Sequence, residues 1–315
     1  MAKTLITSIG IEHDTMSIRA AKLNLVKSGS KTTVKVMGLS ELFGDFSNDE
    51  NISGGIRKIK EKISISPSDR VVTCLAGKQV YVAQIPFKKL AEDEMKNALR
   101  IEIKKSLPFE VAGASIDYQL IEGTKKDDHH QFVVTAVPSI MLTRHVNMME
   151  RLGVRPYIVD VLPLGIANAF HLSQQSCAIG LAYVVVHVGP AVTNLIICGD
   201  ESVTFFHRSI YFLADDVLGD KEQTLEGEAM GRKLSELTEE VSRSITFYEK
   251  TFGTNKFAGV FLLGEYLENG EIREAIAQKT NLQTEVIDVF SSLKQASNAP
   301  KGKFEVAMGL AMRNA

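Results

Sequence analysis

Apolar and polar positions along this chain alternate between strand-like runs and helical spacing, and the order of the two predicts an α/β fold. Apolar runs predict strands at Leu5–Ile11, Met16–Leu25, Thr32–Leu39 and Arg70–Leu75. Between them Ile52, Ile56, Ile59 and Ile63 recur at helical spacing over Asn51–Ser64. From Gln79 the texture changes to strand Val80–Ile85, charged helix Ala91–Lys105 with Met95, Leu99 and Ile103 on one face, strands Ser115–Ile121 and Gln131–Val137, and a helix opening at Pro138–Ser139. That block reads as an inserted small α/β subdomain. A strand at Tyr157–Val161 and a helix opened by Pro163 follow. The longest helix runs from Gly231 to Phe252, with Leu234, Leu237, Val241, Ile245, Tyr248 and Phe252 along one face. Strand Ala258–Leu263, helix Glu271–Lys279, strand Gln283–Ile287 and a closing helix Phe304–Met312 finish the pattern, with loops expected at Gly219–Glu228 and Ser291–Lys303.

One unit occurs twice. Thr7–Leu23 (TSIGIEHDTMSIRAAKL) and Val184–Gly199 (VVVHVGPAVTNLIICG) each consist of an apolar strand, a tight polar turn and a second strand. Two such units half a chain apart predict a duplicated fold with a cleft between its halves, each turn able to face a bound phosphate. This is the plan of actin. The expected organisation is a first domain over 1–78 and 157–181, an insert over 79–156, a second domain over 182–303, and a closing helix over 304–313 packed across the domains.

Composition narrows the function. At 315 residues, 44% hydrophobic and 23% charged, the chain can bury a core large enough for two domains. A net charge of -2 supplies no basic field for nucleic acid. No run approaches a membrane span and no signal peptide is visible, so a cytoplasmic protein is expected, without direct membrane insertion. Cys74, Cys177 and Cys198 are dispersed and read as buried thiols of a reducing compartment.

The run Leu107–Leu120 (LPFEVAGASIDYQL), behind the helix EDEMKNALRIEIKK, resembles the insert of the PilM family, actin-like cytoplasmic proteins of type IV pilus assembly. Val159–Phe170 is similar to that family's interdomain helix, Val188–Ile210 to its second phosphate hairpin, Ser235–Gly253 to its long second-domain helix, and Phe304–Arg313 to its closing helix. The resemblance implies a scaffold peripheral to the inner membrane. It would bind the N-terminal tail of a membrane-anchored pilus protein between the first domain and the insert, and connect it to cytoplasmic motors. Many members also bind ATP in the interdomain cleft.

The cleft residues depart from that pattern. In the first hairpin the matching positions are Glu12, Asp14 and Thr15, where an Asp, a Gly and a small hydroxyl residue are usual. A carboxylate at Asp14 would meet a polyanion with like charge, whereas Glu12 retains the means to position magnesium-bound water. His187 stands where an Asp precedes Gly189, and magnesium prefers oxygen ligands. The adenosine loop keeps Gly264 but follows it with Glu265 and Tyr266, which crowd the base. These changes point to a degraded site: no cofactor is required, ATP and magnesium bind weakly or not at all, and hydrolysis is not expected. The alternatives are a rearranged working site, or hairpins kept only as edge turns of two sheets.

Other chemistry is thinner. Asp127, Asp128, His129 and His130 carry metal-ligand types but read as a hairpin tip, and Ala76–Lys78 lacks the flanks of a P-loop and reads as a turn. The partner site is placed at Leu107, Pro108 and Phe109, with Pro108 stopping the helix and the two apolar side chains either lining a groove or filling the insert's own core. Three functions follow: a nucleotide-independent pilus adaptor; the cytoplasmic domain of a type II secretion L-type protein that docks the secretion ATPase; and an actin-like ATPase or sugar kinase.

Overall fold

A computed structural model of the chain describes residues 4–29, 31–126, 129–174, 177–190, 192–200, 203–212, 228–253, 256–264, 267, 270–295, 299 and 301–314. The first domain contains β1 (Thr4–His13), β2 (Ser17–Ser28), β3 (Lys31–Phe43), helix α1 (Asp49–Lys62) and β4 (Arg70–Leu75). The insert contributes β5 (Tyr81–Phe87), α2 (Glu92–Ile103), β6 (Ala114–Lys126), β7 (His129–Pro138) and α3 (Ser139–Arg151). The chain returns through β8 (Pro156–Val161) and α4 (Leu162–Gln174). The second half is β9 (Leu181–Val188), β10 (Thr193–Cys198), β11 (Phe206–Ile210), α5 (Glu228–Phe252), β12 (Lys256–Gly264), α6 (Glu271–Thr280), β13 (Thr284–Val286), a short α7 (Val289–Ser292) and α8 (Glu305–Ala311), which ends in the 3-10 turn Met312–Asn314.

The repeat visible in the sequence becomes two sheets of matching plan. One has the order β3-β2-β1-β4-β8 and the other β11-β10-β9-β12-β13. In each, the first three strands pair antiparallel and the last two join in parallel. Helices α4 and α8 lie between the sheets. Phe170 and Ala169 of α4, Met308 and Leu310 of α8, Val72 and Cys74 of the first sheet and Val185 and Phe261 of the second share one core. A second core packs α5 and α6 on the outer face of the second sheet through Leu237, Val241, Tyr248 and Ile276.

Burial explains the element types. β10 is buried along its whole length, so its run TNLIIC carries apolar residues on both faces. β5 runs through Pro86 to Phe87 because it is the edge strand of the insert sheet β5-β7-β6, where a missing N–H costs no ladder bond. α2 ends at Ile103, whose carbonyl accepts the amides of Ser106 and Leu107 just ahead of Pro108.

One boundary moves. The pattern assigns all of α3 to the insert, yet Met148 and Met149 pack with Ile56 and Ile59 of α1 in the first domain's outer core. Only the N-terminal part of α3, at Met141 and Leu142, meets the insert through Val82 and Val137. The border of the insert therefore falls inside α3. The expected loop 219–228 lies, apart from Glu228, outside the described residues.

The crossing of α8 over β1 depends on glycine. A Cβ built on Gly10 would run into the Ala307 carbonyl oxygen and approach the Ala311 amide at 2.7 Å. Both are backbone atoms of a packed helix and cannot rotate away. Gly10→Ala should therefore destabilise the chain by about 3 kcal/mol, measured by urea unfolding, whereas Gly38→Ala, with nothing within 4 Å of the added carbon, should cost far less.

Candidate functional site

Two concave regions bear on function, the interdomain cleft and a groove beside the insert. The cleft, about 330 Å³, lies between the β1–β2 hairpin, the turn at Ala76 and Gly77 after β4, and the β9–β10 hairpin at Gly189, Pro190 and Val192. It brings Glu12, Asp14, Thr15, His187 and Gly189 together, as the sequence predicts, and its volume is at the low end for ligand pockets. Gly77 has φ +103° and its carbonyl accepts the Val80 amide at 3.1 Å, so Ala76–Lys78 is a turn.

Asp14 does something the sequence does not reveal. Its Oδ1 accepts the backbone amides of Met16 and Ser17, each at 2.7 Å, and its Oδ2 accepts the Ser17 hydroxyl at 3.0 Å. The carboxylate sits in the hairpin's own amide cradle, closing it as an Asx turn. Thr15 is exposed at the rim, its carbonyl bound by the Phe46 amide at 2.8 Å.

Glu12 is buried, and burial pushes its pKa up to about 8 against the opposing pull of the Arg19 guanidinium, with Asp14 and Glu305 adding like charge and the Ala307 amide helping the anion. At neutral pH, with no cation beside it, it is largely a carboxylic acid. Arg19 is itself buried and donates to Glu41 Oε1 at 2.7 Å, with Lys303 Nζ 3.5 Å from Glu41 Oε2.

His187 is buried, and desolvation lowers its pKa to about 4, so the imidazole is neutral. Its Nδ1 has no hydrogen-bond partner among the described residues. It faces Asn194 across the β9–β10 ladder, and Asn194 Oδ1 pairs with His207 Nε2 at 3.1 Å. A Cβ at Gly189 would sit 2.7 Å from the Val192 carbonyl, so the tight hairpin requires glycine there. Gly264, at φ +110°, presses against the Val188 carbonyl and donates its amide to Gly302 at 2.8 Å. Its role is to let β12 meet β9. Glu265 and Tyr266 lie outside the described residues. A plugged cradle, a protonated acid and a neutral imidazole fit magnesium and a triphosphate poorly.

A second chamber, sharing His13, Ser47, Ile52 and Ala76 with the cleft lining, is one that sequence reasoning missed. His145 of α3 bonds Thr73 Oγ1 at 2.8 Å and stacks on His13 at 6.3 Å, and burial lowers its pKa to about 4. The only hint in the sequence was a histidine among the methionines of a helical face. Of the KKDDHHQ tip, Asp127 and Asp128 lie outside the described residues, and among those described no group of metal-ligand side chains converges.

Leu107 and Phe109 are half-buried against the insert's own core of Met95, Leu99 and Phe132, with Pro108 exposed between them. None of the three lines the groove, a space of about 740 Å³ between the outer edges of β6 and β8. Its walls are the successive residues Asp117–Ile121 and Ile158–Val161, and Val133, Leu164, Ala167 and Phe205 give it an apolar floor. Neither strand edge pairs with another strand among the described residues. Main-chain donors and acceptors therefore face a slot of mixed polar and apolar lining.

The comparisons agree with this architecture. A solved PilM–PilN type IV pilus biogenesis complex has a chain that superposes with TM-score 0.79 at 18% identity, covering 97% of this chain and 98% of that one. A Bacteroides thetaiotaomicron protein of actin-like ATPase fold and unknown function reaches 0.52 at 10% identity, covering 97% and 95%. The cytoplasmic domain of EpsL, an inner-membrane component of the Vibrio cholerae type II secretion system, reaches 0.48 at 10% identity over 97% and 92%. The family model for the type IV pilus assembly protein PilM matches residues 11–214. With an actin-like duplicated fold carrying an insert, and a family match over most of its length, the chain belongs to the PilM family of type IV pilus assembly proteins.

Proposed function

We propose that this chain is a nucleotide-independent scaffold of the pilus machine. It holds the N-terminal cytoplasmic segment of a membrane-anchored partner in the β6–β8 groove and links it to a cytoplasmic motor ATPase. The observation that carries this reading is the groove itself: an extended peptide laid there adds a strand to an open edge while its alternate side chains enter the apolar floor. Among the described residues no helix is long and apolar enough to cross a membrane, so attachment to the inner membrane from the cytoplasm would run through that partner. The PilM–PilN complex supports the kind of partner, since it pairs a relative of this chain with a second pilus protein. The cleft supports nucleotide independence, because Asp14 already occupies the hairpin amides. We read the chain as having no ATPase activity and no required cofactor.

Two measurements test this. A synthetic peptide matching the cytoplasmic N-terminus of the membrane-anchored partner should bind in calorimetric titration with the same affinity in the presence and absence of Mg-ATP. Millimolar Mg-ATP alone should leave the melting temperature unchanged; saturation to about a hundredfold over Kd would raise stability by about 2.7 kcal/mol, and a shift of that size would overturn the nucleotide-independent reading.

A further inference from the structure

The groove is bridged by the chain's own C-terminal turn. Arg313, in the 3-10 turn after α8, places Nε 3.1 Å from Asp160 Oδ2 on the β8 wall and Nη1 3.3 Å from Gln119 Oε1 on the β6 wall. All three residues line the groove, so one guanidinium spans it from side to side. Asp160 is buried, and its Oδ1 accepts its neighbour's amide, from Val161, at 2.8 Å. Its Oδ2 has no aligned hydrogen bond among the described residues, nor has Arg313 Nε: the two atoms are close but their geometry is off-line. A charge pair so placed gains Coulomb energy without the directional bond that makes an arginine–carboxylate fork strong.

We propose that Asp160–Arg313–Gln119 is a clasp across the groove, and that an entering peptide opens it by taking over the Asp160 and Gln119 side chains from Arg313. The inference rests on the groove being the partner site, and it adds regulation to that site: the C-terminal turn competes with the peptide. The base of the groove is packed, Val133 and Leu164 sharing a cluster with Leu75 and Val161, so opening is confined to the rim where the clasp sits. Asp117 completes the charge pattern. It is exposed, pairs with Lys96 at 3.5 Å, and adds negative charge beside Asp160, so a peptide that displaces the guanidinium must bring donors of its own.

The test separates the clasp from the peptide reading. Spin labels at Asp117→Cys and Asn168→Cys, in a Cys177→Ser background, report the distance across the groove without any ligand. Arg313→Ala should lengthen or clearly broaden that distribution. Gln119→Leu, which leaves the Asp160 pair intact, should do so to a smaller degree and guards against a folding defect in the first variant. Unlabelled Arg313→Ala should also bind the partner-derived peptide with an association rate several-fold faster than the parent. Distance distributions that stay the same in both variants overturn the clasp. Widening with no peptide bound by any variant keeps the clasp and overturns the peptide reading instead.

Discussion

Glu305→Gln should make the chain more resistant to urea at about pH 8.5 by on the order of 3 kcal/mol and leave it nearly unchanged at about pH 5. Glu305 opens α8 in the core beside β1 and is fully buried. Neither carboxyl oxygen has an aligned hydrogen bond among the described residues. Burial raises its pKa from 4.5 to about 7, although the amides of Gly302, Phe304 and Glu305 itself favour the anion. The folded state thus holds this proton more tightly than the unfolded chain does. Its contribution is complete below pH 4.5 and is lost as pH rises through about 7. Glu12, at about 8, adds a second loss in the same direction and interacts with Glu305, so the two should not be additive. The buried histidines act with the opposite sign. His145, His187 and His207 are each lowered to about 4, so their contribution is complete above 6.5 and disappears as pH falls toward 4. The parent should be most stable between these limbs, around pH 6. In Glu305→Gln only the alkaline limb should flatten; parallel curves for variant and parent across that range would refute the assignment.

The same burial marks how far the sequence could be read. The duplicated hairpins were legible because both faces of β9 and β10, and nearly all of β1, enter cores, which leaves an apolar run interrupted only by a polar turn. The position of the cleft was legible for the same reason, since the turns at matching places in the two sheets line one pocket. What Asp14 does was not legible. Whether a carboxylate points out to a ligand or back into its own amides is decided by two hydrogen bonds within a four-residue turn, and DTMS is compatible with both. The groove was not legible for a different reason. Leu107 and Phe109 look like a docking pair in a linear reading, yet α2 and the insert sheet half-cover them. The groove that opens instead is built by strand edges and by Ala167, Leu164 and Phe205, residues far apart in sequence with nothing but apolar character in common. The second chamber fails similarly, because His145 reaches Thr73 only once α3 packs across the first domain.

Thr135→Arg and Ala167→Arg should each abolish peptide binding, by at least about a hundredfold, and Thr135→Arg should do so with the fold intact. The two residues line the groove from opposite sides, Thr135 on β7 of the insert and Ala167 on α4. An extended peptide in this slot draws its affinity from two sources. Each alternate side chain buried on the floor is worth about 1.5–3 kcal/mol, and each main-chain bond to β6 or β8 about 1 kcal/mol, against the cost of ordering a flexible segment. A guanidinium stem in the slot removes floor contacts and places a charge that the incoming apolar side chains would have to desolvate. A hundredfold loss is about 2.7 kcal/mol, the equivalent of one floor contact with its neighbouring bond. Thr135 is half-buried, so its replacement can turn toward the rim without disturbing the insert core, where Val134 and Ala136 point the other way toward Phe132. Ala167 is more enclosed, and the melting temperature of that variant must be checked first. Binding that survives both substitutions in folded protein would exclude the groove and return attention to the exposed face around Pro108. Binding lost in both, with Mg-ATP still without effect, would leave partner capture to the two strand edges and their floor.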